Sequence, residues 1–224
     1  MRYQWILFDA DETLFHFDAF AGLQRMFEAF SVQFTEDDYA IYQAVNQPLW
    51  VAYQDGEISA IDLQQRRFQN WADRLEVTTE QLNNAFLDAM AEICVPLPGA
   101  VKLLSALKGQ VKMAIITNGF AALQARRLAH TGLQDLFEFV VISEEVGVAK
   151  PDIGIFNTAF SQMNELDKSR VLMVGDNLHS DILGGNSAGI DTCWLNAAQH
   201  SANSDIQPNY EVNNLAELQT LLVG

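Results

Sequence analysis

The chain has 224 residues, 49% of them apolar and only 19% charged, which is enough to bury a sizeable core and excludes a disordered or low-complexity protein. Twenty-nine acidic residues against thirteen basic ones give a formal charge of −16, which disfavours nucleic-acid polymers and anionic membrane surfaces as partners but leaves room for a small anion met by a local cation. No apolar run approaches the ~18 residues of a membrane span, acidic residues follow the amino terminus too soon for a secretory leader, and Cys94 and Cys193 match no metal spacing, so a cytoplasmic protein with buried thiols is expected.

The first element is Trp5-Ile6-Leu7-Phe8, continuously apolar as a strand covered on both faces is, and it runs straight into Asp9-Ala10-Asp11-Glu12. Two carboxylates ~4 Å apart at an effective dielectric near 20 repel by about 4 kcal/mol. Either these side chains diverge or something positive lies among them.

About a hundred residues then separate this strand from the next, far more than a connection in an α/β protein needs. Phe27, Phe30, Tyr39, Tyr42, Trp50, Tyr53, Phe68, Trp71, Phe86 and Met90 are spaced for amphipathic helices. Residues 16–92 are therefore expected to form an all-helical insertion, and Pro96-Leu97-Pro98-Gly99 the hinge back to a core made of residues 1–15 and 93–224. The aromatic residues are expected to serve helix-on-helix packing.

Four more apolar strands follow, Met113 to Ile116, Phe139 to Ile142, Val171 to Val174 and Thr192 to Leu195, alternating with helical patterns. That rhythm predicts an α/β fold with a parallel sheet. Pro151 suits a helix start, Gly132 and Gly189 suit helix stops, and Leu215 to Val223 reads as a final helix capped by Asn213 or Asn214.

The polar residues collect where strands end. Strand one leads into Asp9 and Asp11, strand two into Thr117-Asn118-Gly119, and strand four into Gly175-Asp176 and on to Asp181; Lys150-Pro151 follows the loop after strand three. Ligands of open parallel sheets bind at the carboxyl ends of the strands, so these segments are expected to converge. Hard carboxylate oxygens from two loops suit Mg²⁺, which would offset their mutual repulsion. Lys150, the Thr117 hydroxyl and the N–H groups of Asn118 and Gly119 add positive charge and donors suited to a phosphate dianion. One of Asp9 and Asp11 could then act as nucleophile and the other as general acid and base, provided the chain turns out of extended geometry between them.

In this order these motifs closely resemble those of the haloacid dehalogenase superfamily of phosphohydrolases, over nearly the whole chain. The resemblance implies a Rossmann-like core of strand order 5-4-1-2-3 and a mobile helical cap inserted after strand one. It makes Asp9 the nucleophile and Asp11 the general acid/base. It also implies Mg²⁺, or Mn²⁺ in its place, held by Asp9, the backbone carbonyl of Asp11 and Asp176, with Asp181 supporting from behind. An acid at position 11 points to phosphatases rather than to the metal-free dehalogenases, which lack it.

Finer similarity through Gly22 to Phe27, Tyr42 to Asn46, Ile142 to Pro151 and Cys193 to Asn196 resembles the bacterial house-cleaning pyrimidine 5′-nucleotidases of that superfamily. These imply hydrolysis of UMP, dUMP and dTMP. A sugar-phosphate phosphatase or phosphomutase on the same scaffold, and a receiver-like phospho-switch without turnover, are the alternatives. His179 is expected to be a loop residue, and His16 to be exposed or to serve packing.

Overall fold

The computed structural model describes residues 2–164, 166–201 and 205–224. Strand β1 (Trp5–Phe8) is followed by helices α1 (Ala19–Glu28), α2 (Glu36–Gln54), α3 (Ala60–Arg66), α4 (Gln69–Leu75), α5 (Thr79–Glu92) and α6 (Ala100–Leu107). Strand β2 (Lys112–Thr117), α7 (Ala121–Thr131), β3 (Val140–Ile142), α8 (Ser143–Val146) and α9 (Ile153–Ser161) lead to β4 (Val171–Gly175). A π-helical turn (Leu178–Leu183), α10 (Gly184–Ala188), β5 (Asp191–Leu195), β6 (Tyr210–Val212) and α11 (Leu215–Val223) complete the chain.

Two compact units result, one of residues 1–16, 95–119 and 131–224, the other of residues 17–94 and 120–130. The first is built on a parallel sheet of order β3-β2-β1-β4-β5-β6. The five strands read from the sequence stand in the expected order, and β6 extends the sheet at one edge. Every residue of β1 and β4 is buried, which explains their unbroken apolar character. Leu7 lies in register with Ala114 on one side and Met173 on the other, and their layer packs on Ile155, Phe156 and Ala159 of α9. Pro151 lies just before the α9 cap, Asp152, whose Oδ1 accepts the Gly154 N–H. Gly132 and Gly189 close their helices at positive φ, and Asn214 caps α11.

The second unit is helical. Thr35, Ser59 and Thr78 each open a helix with a capping box, paired with Asp38, Asp62 and Gln81. Its interior is aromatic: Phe27 stacks on Phe34 at 4.8 Å and meets Trp71 at 4.4 Å, and Phe68 lies against Tyr42 and Phe86. The buried Arg67 guanidinium lies 5.0–5.1 Å from the Phe68, Phe86 and Phe120 rings and donates to Asn83 Oδ1. Three ring faces and the Asn83 amide acceptor offset part of the cost of burying that cation. Among the described residues no helix is long and apolar enough to cross a membrane, and both cysteines are buried.

Candidate active site

The carboxyl edge of the sheet in the first unit brings four motifs together. The Asp9 N–H still donates to the Val174 carbonyl, so this residue ends the ladder of β1. Immediately afterwards the chain curls: Ala10 O accepts the N–H groups of both Leu14 and Phe15, Glu12 N–H donates to Phe15 O, and Glu12 adopts φ of 54°. The departure from extended geometry that two aspartates of different role require is therefore present, with Asp9 buried and Asp11 half-buried on the turn.

Lys150 lies at the centre. Its side chain is 1% exposed, and its ammonium donates to Asp9 Oδ1 at 2.6 Å, Asp181 Oδ1 at 2.7 Å and the Ile116 carbonyl at 2.7 Å. Three acceptors match the three donors of an ammonium, which is what permits a lysine to be buried charged. Burial works against that charge, but the Asp181 and Asp9 carboxylates overcome it and hold its pKa above the ordinary lysine value.

One lysine does not offset the acids around it. One oxygen from each of Asp9, Asp176 and Asp181 lies within 4.8 Å of the others. Burial pushes Asp9 up to about 8, against the pull of Lys150 and with the help of the Asp181, Asp176 and Asp11 charges. Burial and the Asp181 charge push Asp176 up to about 7. Carboxylates that resist ionising together mark a place where a divalent cation is electrostatically favoured, and an all-oxygen donor set fits a hard ion such as Mg²⁺.

The other expected residues fall around this centre. Thr117, 1% exposed, accepts the Gly119 N–H at 3.0 Å through Oγ1, so these two are bonded to each other across the turn after β2. Asn118 acts through its side chain, bonding both backbone groups of Lys150. Asp181 is fully buried and accepts from Lys150, from the Asn177 N–H at 3.0 Å and from the Ser180 hydroxyl at 3.3 Å. Gly175 makes room for it, since a Cβ there would lie 2.1 Å from Asp181 Oδ2. His179 is exposed and donates its backbone N–H to Asn177 Oδ1; His16 is exposed beside Glu12.

Three supporting groups carried no assigned role in the sequence. Thr13 Oγ1 accepts the Asp176 N–H at 3.1 Å and lies 3.4 Å from Asp176 Oδ1. The Trp194 indole donates to the Asp176 carbonyl at 2.7 Å, and Ser180 reaches Asp181. Thr13 lies within the Asp9-Ala10-Asp11-Glu12-Thr13 motif, and that membership was the one signal available for it.

A parallel α/β sheet whose carboxyl edge joins two turn aspartates, a buried lysine and a second acidic loop defines a phosphohydrolase-type scaffold. The haloacid dehalogenase-like hydrolase family matches residues 3–189, and the chain belongs to that family. Among its relatives, pyrimidine 5′-nucleotidase YjjG of Escherichia coli is 59% identical over 99% of both chains. Pyrimidine 5′-nucleotidase PynA of Streptococcus pneumoniae is 33% identical over 97% of this chain and 94% of its own. The crystal structure of the HAD-hydrolase YfnB of Bacillus subtilis, bound to magnesium, superposes with a TM-score of 0.87 at 32% identity, covering all of both chains.

Proposed function

We propose that the protein is a Mg²⁺-dependent 5′-nucleotidase that hydrolyses pyrimidine nucleoside monophosphates, UMP, dUMP and dTMP, through an aspartyl-phosphate intermediate. The observation that carries the chemistry is Asp9 at the end of β1, bonded to buried Lys150 and grouped with Asp176 and Asp181. Whole-chain similarity to two pyrimidine 5′-nucleotidases supports the choice of substrate. A house-cleaning role in the cytoplasm, clearing unwanted pyrimidine nucleotides, agrees with that choice.

In this reading Asp9 Oδ1 stays on Lys150 and Oδ2 attacks phosphorus in line with the ester bond. The bond to the nucleoside 5′-oxygen breaks, and Asp11 gives that oxygen its proton. Asp11, now ionised, takes a proton from water; the water oxygen attacks phosphorus, the bond to Asp9 breaks, and inorganic phosphate leaves. Lys150 neutralises charge on Asp9 and Asp181 throughout, while the Thr117 hydroxyl and the Asn118 N–H hold the phosphoryl oxygens; the Gly119 N–H, expected to join them, donates to Thr117 Oγ1 and orients that hydroxyl instead. Asp9, the Asp11 carbonyl and Asp176 would hold Mg²⁺, with Asp181 behind them, and the ion supplies neutralisation of the phosphoryl charge. The helical unit is read as the cap of this family.

Phosphate release from pyrimidine and purine monophosphates and from sugar phosphates, with and without Mg²⁺, tests the reading. Release is expected from the pyrimidine nucleotides in the presence of the metal, and none from Asp9→Asn. Equal efficiency on purine and pyrimidine monophosphates would remove the pyrimidine-specific assignment and leave the phosphatase intact, and no release from any monoester would remove the phosphatase.

A further inference from the structure

Asp176 is the first residue beyond β4, where the sheet ladder no longer fixes the backbone. Side chains take over that task. Its N–H donates to Thr13 Oγ1, and its carbonyl accepts the Trp194 indole N–H at 2.7 Å. The N–H at the other end of that same peptide group, that of Asn177, donates to Asp181 Oδ2 at 3.0 Å. A peptide group is planar, so holding its carbonyl and its N–H by separate partners fixes the orientation of the whole plane, and with it the direction in which Asp176 presents its side chain. The carboxylate itself is partly exposed, while the backbone behind it is pinned.

Trp194 is suited to this role. It lies on β5 in register with Gly175 and is 2% exposed, so its position is set by the sheet and by packing. A buried indole N–H requires an acceptor, and the acceptor it has is the carbonyl of Asp176. We propose that Trp194 is a positioning residue for the cation site, its indole N–H orienting the Asp176 peptide so that the carboxylate is held ready for a divalent ion. The proposal rests on the reading of Asp176 as a metal ligand. Groups that orient metal ligands typically change affinity by about 10- to 100-fold. A bond to the ligand's backbone rather than to its carboxylate is expected at the lower end, about tenfold.

The test titrates Mg²⁺ into the full-length protein and into Trp194→Phe by calorimetry, with melting in EDTA as a check of folding. In parallel, indole N–H resonances of the ¹⁵N-labelled wild type are followed as Mg²⁺ is added, assigned through Trp5→Phe, Trp50→Phe and Trp71→Phe. The expected result is about tenfold weaker Mg²⁺ binding by Trp194→Phe, with kcat at saturating Mg²⁺ little changed. In the wild type the Trp194 indole signal moves on metal addition, while that of Trp5, at the opposite end of the strands, does not.

A folded Trp194→Phe with wild-type Mg²⁺ affinity would overturn the proposal and leave Trp194 a packing residue. If the variant does not fold, the wild-type spectrum decides: a Trp194 signal that moves supports the proposal, and one that stays fixed overturns it. A wild-type protein that binds no Mg²⁺ in the calorimeter overturns the metal reading itself, and the proposal with it.

Discussion

The side-chain amide of Asn118 grips Lys150 by both backbone polar groups: Nδ2 donates to the Lys150 carbonyl at 2.9 Å, and Oδ1 accepts the Lys150 N–H at 2.7 Å. The loop after β2 thereby fixes the start of the side chain whose ammonium ends on Asp9 and Asp181. Asn118→Ala removes both bonds. At ~1 kcal/mol each the expected loss is about 2 kcal/mol of stability by urea unfolding. Misplacing Lys150 should lower kcat by on the order of 10²-fold, and wild-type kinetics in the variant would contradict this role.

Asp176 and Asp181 should separate metal binding from folding. Asp181 is fully buried and paired with Lys150, so Asp181→Ala breaks a buried ion pair and is expected to cost about 3–5 kcal/mol in denaturant titrations. Asp176→Ala removes a partly exposed carboxylate that repels its neighbours, so the metal-free protein should lose little stability while Mg²⁺ affinity falls further than in Asp181→Ala. The opposite ranking in a Mg²⁺ titration would refute the assignment of Asp176 as the direct ligand.

The raised carboxyl pKa values set a pH dependence. Asp9 is held near about 8 and Asp176 near about 7, chiefly by burial, whereas unfolded carboxyl groups titrate near ~4. Between those limits the folded metal-free protein keeps protons that the unfolded chain has lost, so its stability falls as pH rises through the window. Lys150, whose pKa is raised, keeps its contribution below the ordinary lysine range and loses it only at higher pH. Mg²⁺ competes with those protons. The metal should therefore raise Tm more at about pH 8.5 than at about pH 6, and an equal rise at both would count against cation binding at these carboxylates.

Gly175→Ala places a methyl group 2.1 Å from Asp181 Oδ2 and 2.3 Å from its Cγ. The buried carboxylate must shift, at a cost of about 1–3 kcal/mol for overpacking. Weaker Mg²⁺ binding should accompany the fall in Tm. A variant indistinguishable from wild type in both would show that Asp181 can retreat freely.

Most of the fold and the motif residues could be read from the sequence because each buried parallel strand carries an unbroken apolar run and ends in a polar cluster. Strand β6 escaped because Tyr210-Glu211-Val212 is short and only Val212 is buried, so it lacks that signature. Asn118 was expected to act through its backbone N–H; its side chain's partner is 32 residues away and depends on how two loops meet. Trp194 was hidden for a different reason. Within Cys193-Trp194-Leu195 it reads as one more apolar strand residue, and its polar function lies in a single N–H whose acceptor only the folded chain identifies.

Covalent capture of phosphorus by Asp9 is the claim on which the mechanism stands, and chemical trapping tests it most directly. The enzyme turning over labelled dUMP with Mg²⁺ is quenched in acid, reduced with borohydride, which converts an aspartyl phosphate to homoserine, and mapped by peptide mass spectrometry. Homoserine at position 9, absent without substrate and absent in Asp9→Asn, is the predicted result. Active enzyme with Asp9 unmodified, or with the label on a different residue, would contradict it.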